Sequence, residues 1–174
     1  LAGIAYALDR RDVLLGDEMG LGKTVQAIGL INADPSSKRV LVICPASLKI
    51  NWQRELNRWL VRPMSVGIAN GGSLPDTDVV VLNYDIIGKH REAIDAVAWD
   101  LLICDEAHRT TGVTLSGEDE SAFVKVHDTK FLKGEKRLYM TATPRIYGDD
   151  AKSKAREVSA EIASMDNVDQ FGHE

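Results

Sequence analysis

Two short stretches of this sequence carry side chains whose types and order suit chemistry on a phosphorylated ligand. The first is Asp17-Glu18-Met19-Gly20-Leu21-Gly22-Lys23-Thr24. Glycines in such a run let the backbone turn tightly and aim successive N–H groups at phosphate oxygens. A helix starting at Lys23 points the positive end of its dipole into the same space. There the Lys23 ammonium can reach the β- and γ-phosphates of a nucleotide, and the Thr24 hydroxyl can ligate Mg²⁺. Met19, Gly20, Leu21, Gly22, Lys23 and Thr24 are therefore the expected nucleotide-binding residues. The run departs from the generic phosphate loop in one respect, because Asp17 stands where that loop begins with glycine.

The second stretch is Leu101-Leu102-Ile103-Cys104-Asp105-Glu106-Ala107-His108, an apolar run ending in two carboxylates and an imidazole. The carboxyl ends of parallel strands are where α/β sheets place their ligands. Asp105 is thus expected beside the phosphate loop, holding Mg²⁺ together with Thr24. Glu106 can orient or deprotonate an attacking water, which makes Lys23, Asp105 and Glu106 the catalytic candidates.

Both stretches need elements to position them, and the chain alternates short apolar strands with longer helical patterns, as an α/β domain with a largely parallel sheet does. Strands are predicted at Asp12–Gly16, Arg39–Cys44, Ser65–Ala69, Asp78–Leu82, Asp100–Asp105 and Arg137–Thr141. Pure apolar runs such as Val79-Val80-Val81-Leu82 imply strands covered on both faces. Helices are predicted from Lys23 to about Ala33, from Ser47 to Leu60 and from about Ile86 to Ala98, with a further charged one from Asp149 to Ser164. On the second helix Leu48, Trp52, Leu56 and Trp59 share one face, so both tryptophans are expected in the core. Ser47 is placed to cap the start of that helix. The basic residues Lys49, Arg54, Arg58 and Arg62 read as a solvated face, and His90, His127 and His173 as surface residues.

At 174 residues, 44% hydrophobic and 27% charged, the chain suits one ordinary globular domain. Residues 1–148 are expected to form that domain and 149–174 a helical, acidic exit segment. A net charge of −5 argues neither for nor against nucleic acid, since backbone amides and a few local cations suffice to grip phosphates. No apolar run approaches the roughly 20 residues that cross a bilayer, and the opening residues lack the flanks of a signal peptide. Cys44 and Cys104 each end an apolar run with no pairing or metal spacing, which suits an intracellular, reducing compartment, cytoplasmic in a bacterium or phage host.

Asp-Glu-Ala-His after a phosphate loop, followed by Thr141-Ala142-Thr143-Pro144 at a strand end, resembles the first RecA-like lobe of superfamily-two helicases and translocases. The fold so implied is a three-layer α/β P-loop NTPase domain with ATP and Mg²⁺ at the carboxyl ends of its strands. In the first hundred residues, Asp-Glu-Met-Gly-Leu-Gly-Lys-Thr, Pro45-Ala46-Ser47-Leu48, Asn51-Trp52 and Glu55 are similar to Swi/Snf-type ATPases. That likeness implies backbone contacts to double-stranded DNA from Pro45, Ala46 and Ser47, and from Asn83 and Tyr84 in the Leu82-Asn83-Tyr84-Asp85 stretch. After His108 the sequence looks more like the motor lobes of bacterial restriction enzymes of the Type III and Type ISP kinds.

The resemblance also assigns coupling roles, linking nucleotide state to the DNA side, to His108, Thr141, Ala142 and Thr143. It implies that an adenine-reading segment and a second RecA-like lobe, which supplies arginines to the transferring phosphoryl group, lie outside these residues. The isolated chain is accordingly expected to bind MgATP weakly and hydrolyse it very slowly. Three function classes follow: a remodelling or repair translocase, a restriction-enzyme motor lobe, and a non-catalytic nucleotide-binding module.

Overall fold

The computed structural model describes residues 2–18, 20–107, 112–115, 126, 129–144, 146, 148–149, 153–154, 160–163 and 165–168. The chain opens with helix α1 (Ala2–Leu8), built on alanines and leucine, the strongest helix formers. Strand β1 (Asp12–Leu15) follows, then the phosphate-loop stretch and α2 (Lys23–Ala33). Next come β2 (Val40–Cys44), a 3₁₀ turn at Ala46–Leu48, α3 (Lys49–Trp59), β3 (Val66–Ile68) and β4 (Val79–Asn83). Short 3₁₀ turns at Tyr84–Ile86 and Gly88–His90 lead into α4 (Arg91–Asp95) and β5 (Trp99–Asp105). Strands β6 (Gly112–Leu115), β7 (Gly134–Met140) and β8 (Ala160–Ala163) complete the described elements.

Among the described residues six strands form one sheet in the order β1-β7-β5-β2-β4-β3, with every neighbouring pair parallel. All five residues of β2 and all five of β4 are buried, because both sheet faces are covered. Alternate side chains divide between two cores. Val40, Val42 and Cys44 join Val13, Leu138 and Met140 under Ile28, Ile31, Trp52 and Leu56 of α2 and α3. Leu41, Ile43 and Cys104 pack on the opposite face with Tyr84, Ile87, Ile94 and Trp99. Cys44 and Cys104 thus lie on different faces of the sheet, and burial pushes both thiols up to about 12. They are core residues without nucleophilic character at neutral pH.

Several expectations are corrected here. The helix predicted over 86–98 is reduced to two 3₁₀ turns and the five residues of α4, since Gly88 interrupts it. Of the helix predicted from Asp149 to Ser164, the described residues 149 and 153–154 are helical, whereas Ala160–Ala163 is strand and pairs antiparallel with β6. That strand is decided by its partner, since β6 supplies backbone bonds from a segment remote in sequence. Ser47 makes no cap, because the 3₁₀ turn precedes α3 and Leu48 occupies the capping position without a side-chain bond. Trp59 is 43% exposed and donates its indole N–H to Glu55. Arg62 is no solvated cation: its guanidinium donates to the carbonyls of Ile31, Asp34, Pro35 and Ser37 and closes the end of α2. His90 is buried, with Nε2 2.7 Å from the Asn70 carbonyl. His127 and His173 lie outside the described residues.

At the pole of the sheet away from the strand carboxyl ends, buried Asp34 accepts bonds from Ser36, Ser37 and Lys136 Nζ, the last at 2.7 Å. Burial pushes its carboxyl up, but the Lys136 and Ser36 bonds outweigh that and hold it at about 2, below its ordinary value of 3.8. A depressed carboxyl contributes stability above its unfolded pKa and loses it as pH falls through the folded one. The expected result is that wild-type stability falls by about 2 kcal/mol more than that of Asp34→Asn as pH drops from about 4 to about 2. Urea titrations of the two proteins across that range measure it.

Candidate nucleotide site

The parallel sheet brings the carboxyl ends of β1, β7 and β5 to one edge, with β7 between the other two. The stretch after β1 turns through Gly20 (φ +85°) and Gly22 (φ +75°), both in the left-handed region that side chains avoid. Gly22 is the residue from which α2 departs, and the N–H of Gln26 bonds its carbonyl. Lys23 Nζ folds back to donate to the carbonyls of Asp17 at 2.7 Å and Glu18 at 2.9 Å. Asp17, the departure from the generic loop, is held by Gln26 Nε2 at 2.9 Å, an amide that also reaches the Leu21 carbonyl. That bond gives the nonstandard aspartate a structural place at the root of the loop. Met19 lies outside the described residues.

Asp105 ends β5 and is 7% exposed. Its Oδ2 accepts the indole N–H of Trp52 at 2.8 Å and its Oδ1 the backbone N–H of Glu106 at 3.0 Å. Burial pushes its carboxyl up; the Trp52 bond opposes this, the Glu106 charge adds to it, and the Lys23 charge opposes it. Such a carboxylate gains from a nearby cation, because partial desolvation strengthens the attraction. Half-buried Glu106 adopts φ +56°, a left-handed conformation that costs a non-glycine residue about 1–2 kcal/mol. Strain of this kind recurs at functional sites.

Gly20, Gly22, Lys23, Thr24, Trp52, Asp105, Glu106 and Ala142 together line a cleft of about 340 Å³. Most of the expected catalytic and nucleotide-binding residues therefore meet in one place. Thr141 is buried at the end of β7, donating its N–H to the Leu15 carbonyl of β1 while its Oγ1 accepts the N–H of Thr143. The Thr-Ala-Thr turn is thereby tied to the strand that carries the phosphate loop. His108 lies outside the described residues.

Two of the expected DNA-facing residues have buried side chains. Tyr84 is fully buried and donates its hydroxyl to the Asp105 carbonyl at 2.8 Å, so it braces the acidic strand from below. Asn83 is also buried, with Nδ2 donating to Asp85. Half-buried Pro45 and exposed Ala46 and Ser47 remain accessible just beyond β2. Asn51, Trp52 and Glu55 of α3, which the sequence marks as part of the family likeness without a site role, also line the cleft.

The model of the SNF2-related domain matches residues 4–148. The DNA repair and recombination protein RAD54B of Gallus gallus is 31% identical over 152 residues, covering 78% of this chain and 16% of that protein. The chain therefore spans less than a fifth of the length of this relative. Among solved structures, the Sulfolobus solfataricus SWI2/SNF2 ATPase core in complex with dsDNA has the same fold, with TM-score 0.66 at 24% identity over 82% of this chain and 31% of that one. The ATP-dependent Type ISP restriction-modification enzyme LlaBIII bound to DNA gives TM-score 0.68 at 27% identity, over 98% of this chain and 14% of that one. With its RecA-like sheet and a family match over most of its length, the chain belongs to the SNF2-related domain family.

Proposed function

We propose that this chain is the ATP-binding lobe of a DNA-dependent ATPase and translocase, acting on duplex DNA when joined to a second RecA-like lobe. The observation that carries this reading is the cleft where Lys23 and Thr24 meet Asp105 and Glu106. A hydroxyl and a buried carboxylate are hard oxygen donors that fit Mg²⁺, an ion that takes the rest of its shell from water and phosphates. When bound, the ion would neutralise charge on the β- and γ-phosphates.

Backbone N–H groups of the loop at Gly20, Leu21 and Gly22 grip the phosphates, and Lys23 exchanges its two loop carbonyls for phosphate oxygens. Glu106 orients the attacking water and takes its proton. The water oxygen bonds to the γ-phosphorus as the bond from that phosphorus to the β–γ bridging oxygen breaks, releasing ADP and phosphate. His108, Thr141, Ala142 and Thr143 relay the nucleotide state toward the DNA side. There Pro45, Ala46 and Ser47 contact backbone phosphate, a role their accessibility supports. Residues 1–148 constitute the lobe and 149–174 lead from it. Needing both ATP and DNA, the protein works inside the cell.

One observation favours a second reading, the motor lobe of a restriction-modification enzyme: LlaBIII matches 98% of the chain, including the residues after 148. A nuclease or methyltransferase domain encoded with this lobe would decide for it.

A fluorescent ATP analogue with Mg²⁺ is expected to bind the chain saturably, and Lys23→Ala to weaken binding roughly 10–100-fold through loss of charge-assisted bonds. A folded chain that binds no nucleotide overturns the reading. Glu106→Gln should keep binding while the two-lobe protein loses roughly 10²–10⁴-fold in hydrolysis rate. Without arginines from a second lobe the single chain should turn over about 10³–10⁵-fold more slowly than the joined protein; robust DNA-stimulated hydrolysis by the chain alone contradicts that. Tyr84→Phe should cost about 1 kcal/mol in urea unfolding, with the salt dependence of DNA binding by the two-lobe protein unchanged, as for a core hydroxyl.

A further inference from the structure

Trp52 is 1% exposed, and its indole N–H is a donor with no acceptor capacity. A buried indole requires a partner, and a backbone carbonyl is sufficient: Trp99 uses that of Ile94. Trp52 instead donates to a carboxylate oxygen of Asp105 across 53 residues of sequence. The other oxygen of the same carboxylate accepts the Glu106 N–H. Both oxygens are therefore oriented, one by the backbone of the catalytic candidate and one by a helix from a different part of the chain. Rotation of the carboxylate about its own axis breaks both bonds at once.

Geometry also separates Trp52 from an ordinary core residue, because it lines the cleft beside Lys23, Thr24 and Glu106 as well as packing under the sheet. We propose that Trp52 is a positioning residue that fixes the orientation of the Asp105 carboxylate toward the metal ion of a bound MgATP; this rests on the nucleotide reading above. The indole touches no reacting atom, and it acts through Asp105. Partners that orient a metal-binding group typically alter metal affinity roughly 10–100-fold when removed, whereas a ring that only fills space alters stability alone.

The test uses the whole 174-residue chain, whose three tryptophans give three indole N–H cross peaks in a ¹H–¹⁵N correlation spectrum. Trp52→Phe keeps an aromatic ring and removes the donor, and its missing peak assigns the Trp52 resonance. Assignment by elimination with Trp59→Phe and Trp99→Phe serves if Trp52→Phe does not fold. Addition of a non-hydrolysable ATP analogue with Mg²⁺ is expected to shift the Trp52 peak, whereas the same analogue in EDTA leaves it near its starting position. In folded Trp52→Phe the Mg²⁺ concentration for half-maximal analogue binding should rise roughly tenfold, with binding in EDTA unchanged. An unchanged Mg²⁺ midpoint in that variant, or a Trp52 peak indifferent to Mg²⁺ while nucleotide binds, overturns the inference. A folded wild-type chain that binds no nucleotide removes the nucleotide reading, and the inference with it.

Discussion

Parallel pairing of β1, β7 and β5 is the constraint from which the candidate site follows. Parallel strands all present their carboxyl ends at one edge, so three segments far apart in sequence leave the sheet side by side. The order matters as much as the direction. Because β7 separates β1 from β5, the Thr141–Thr143 turn emerges between the phosphate loop and the acidic pair, and Ala142 reaches the cleft they share. In another strand order the same motifs would be intact in sequence and apart in space. The heavy burial of β2 and β4 is the matching requirement, since a parallel sheet needs both faces covered to be stable.

Within that frame the chemistry depends on how tightly the acidic end of β5 is held. Three groups reach Asp105: the Trp52 indole, the Glu106 N–H and the Tyr84 hydroxyl. They come from α3, from the next residue and from the turn after β4, so helices and turns on both sheet faces converge on one residue. The Glu106 N–H reaches back to the carboxylate it follows, and the left-handed φ of Glu106 redirects the chain immediately beyond. A rigid carboxylate suits an ion with strict geometric demands. Lys23 also lowers the cost of the buried charge at Asp105 before any ligand arrives.

Periodicity and glycine spacing were legible wherever one physical rule dominated. Apolar runs bounded by turn residues located the strands of the main sheet, and the glycine-lysine-threonine string located the loop, because those signals are local. What escaped depended on contacts between distant residues. The core position of Trp52 was readable from its helical face, but the identity of its partner was not, since Asp105 lies 53 residues away. Resemblance puts Tyr84 and Asn83 at a surface, whereas packing buries their side chains. Arg62 and His90 read as solvated from their polarity, yet Arg62 donates to four backbone carbonyls and His90 Nε2 bonds that of Asn70. The β6–β8 pair is illegible in the sequence for the same reason, as its ladder joins segments remote in sequence.

The fold-back of Lys23 also bears on how the loop itself is held. Two carbonyls at the root of the loop accept the ammonium, one half-buried and one exposed. The side chain therefore ties the start of α2 to the root of the loop that precedes it, bracing backbone as well as carrying charge. Removing Lys23 thus takes away a tie within the loop together with a cation, two losses from one side chain.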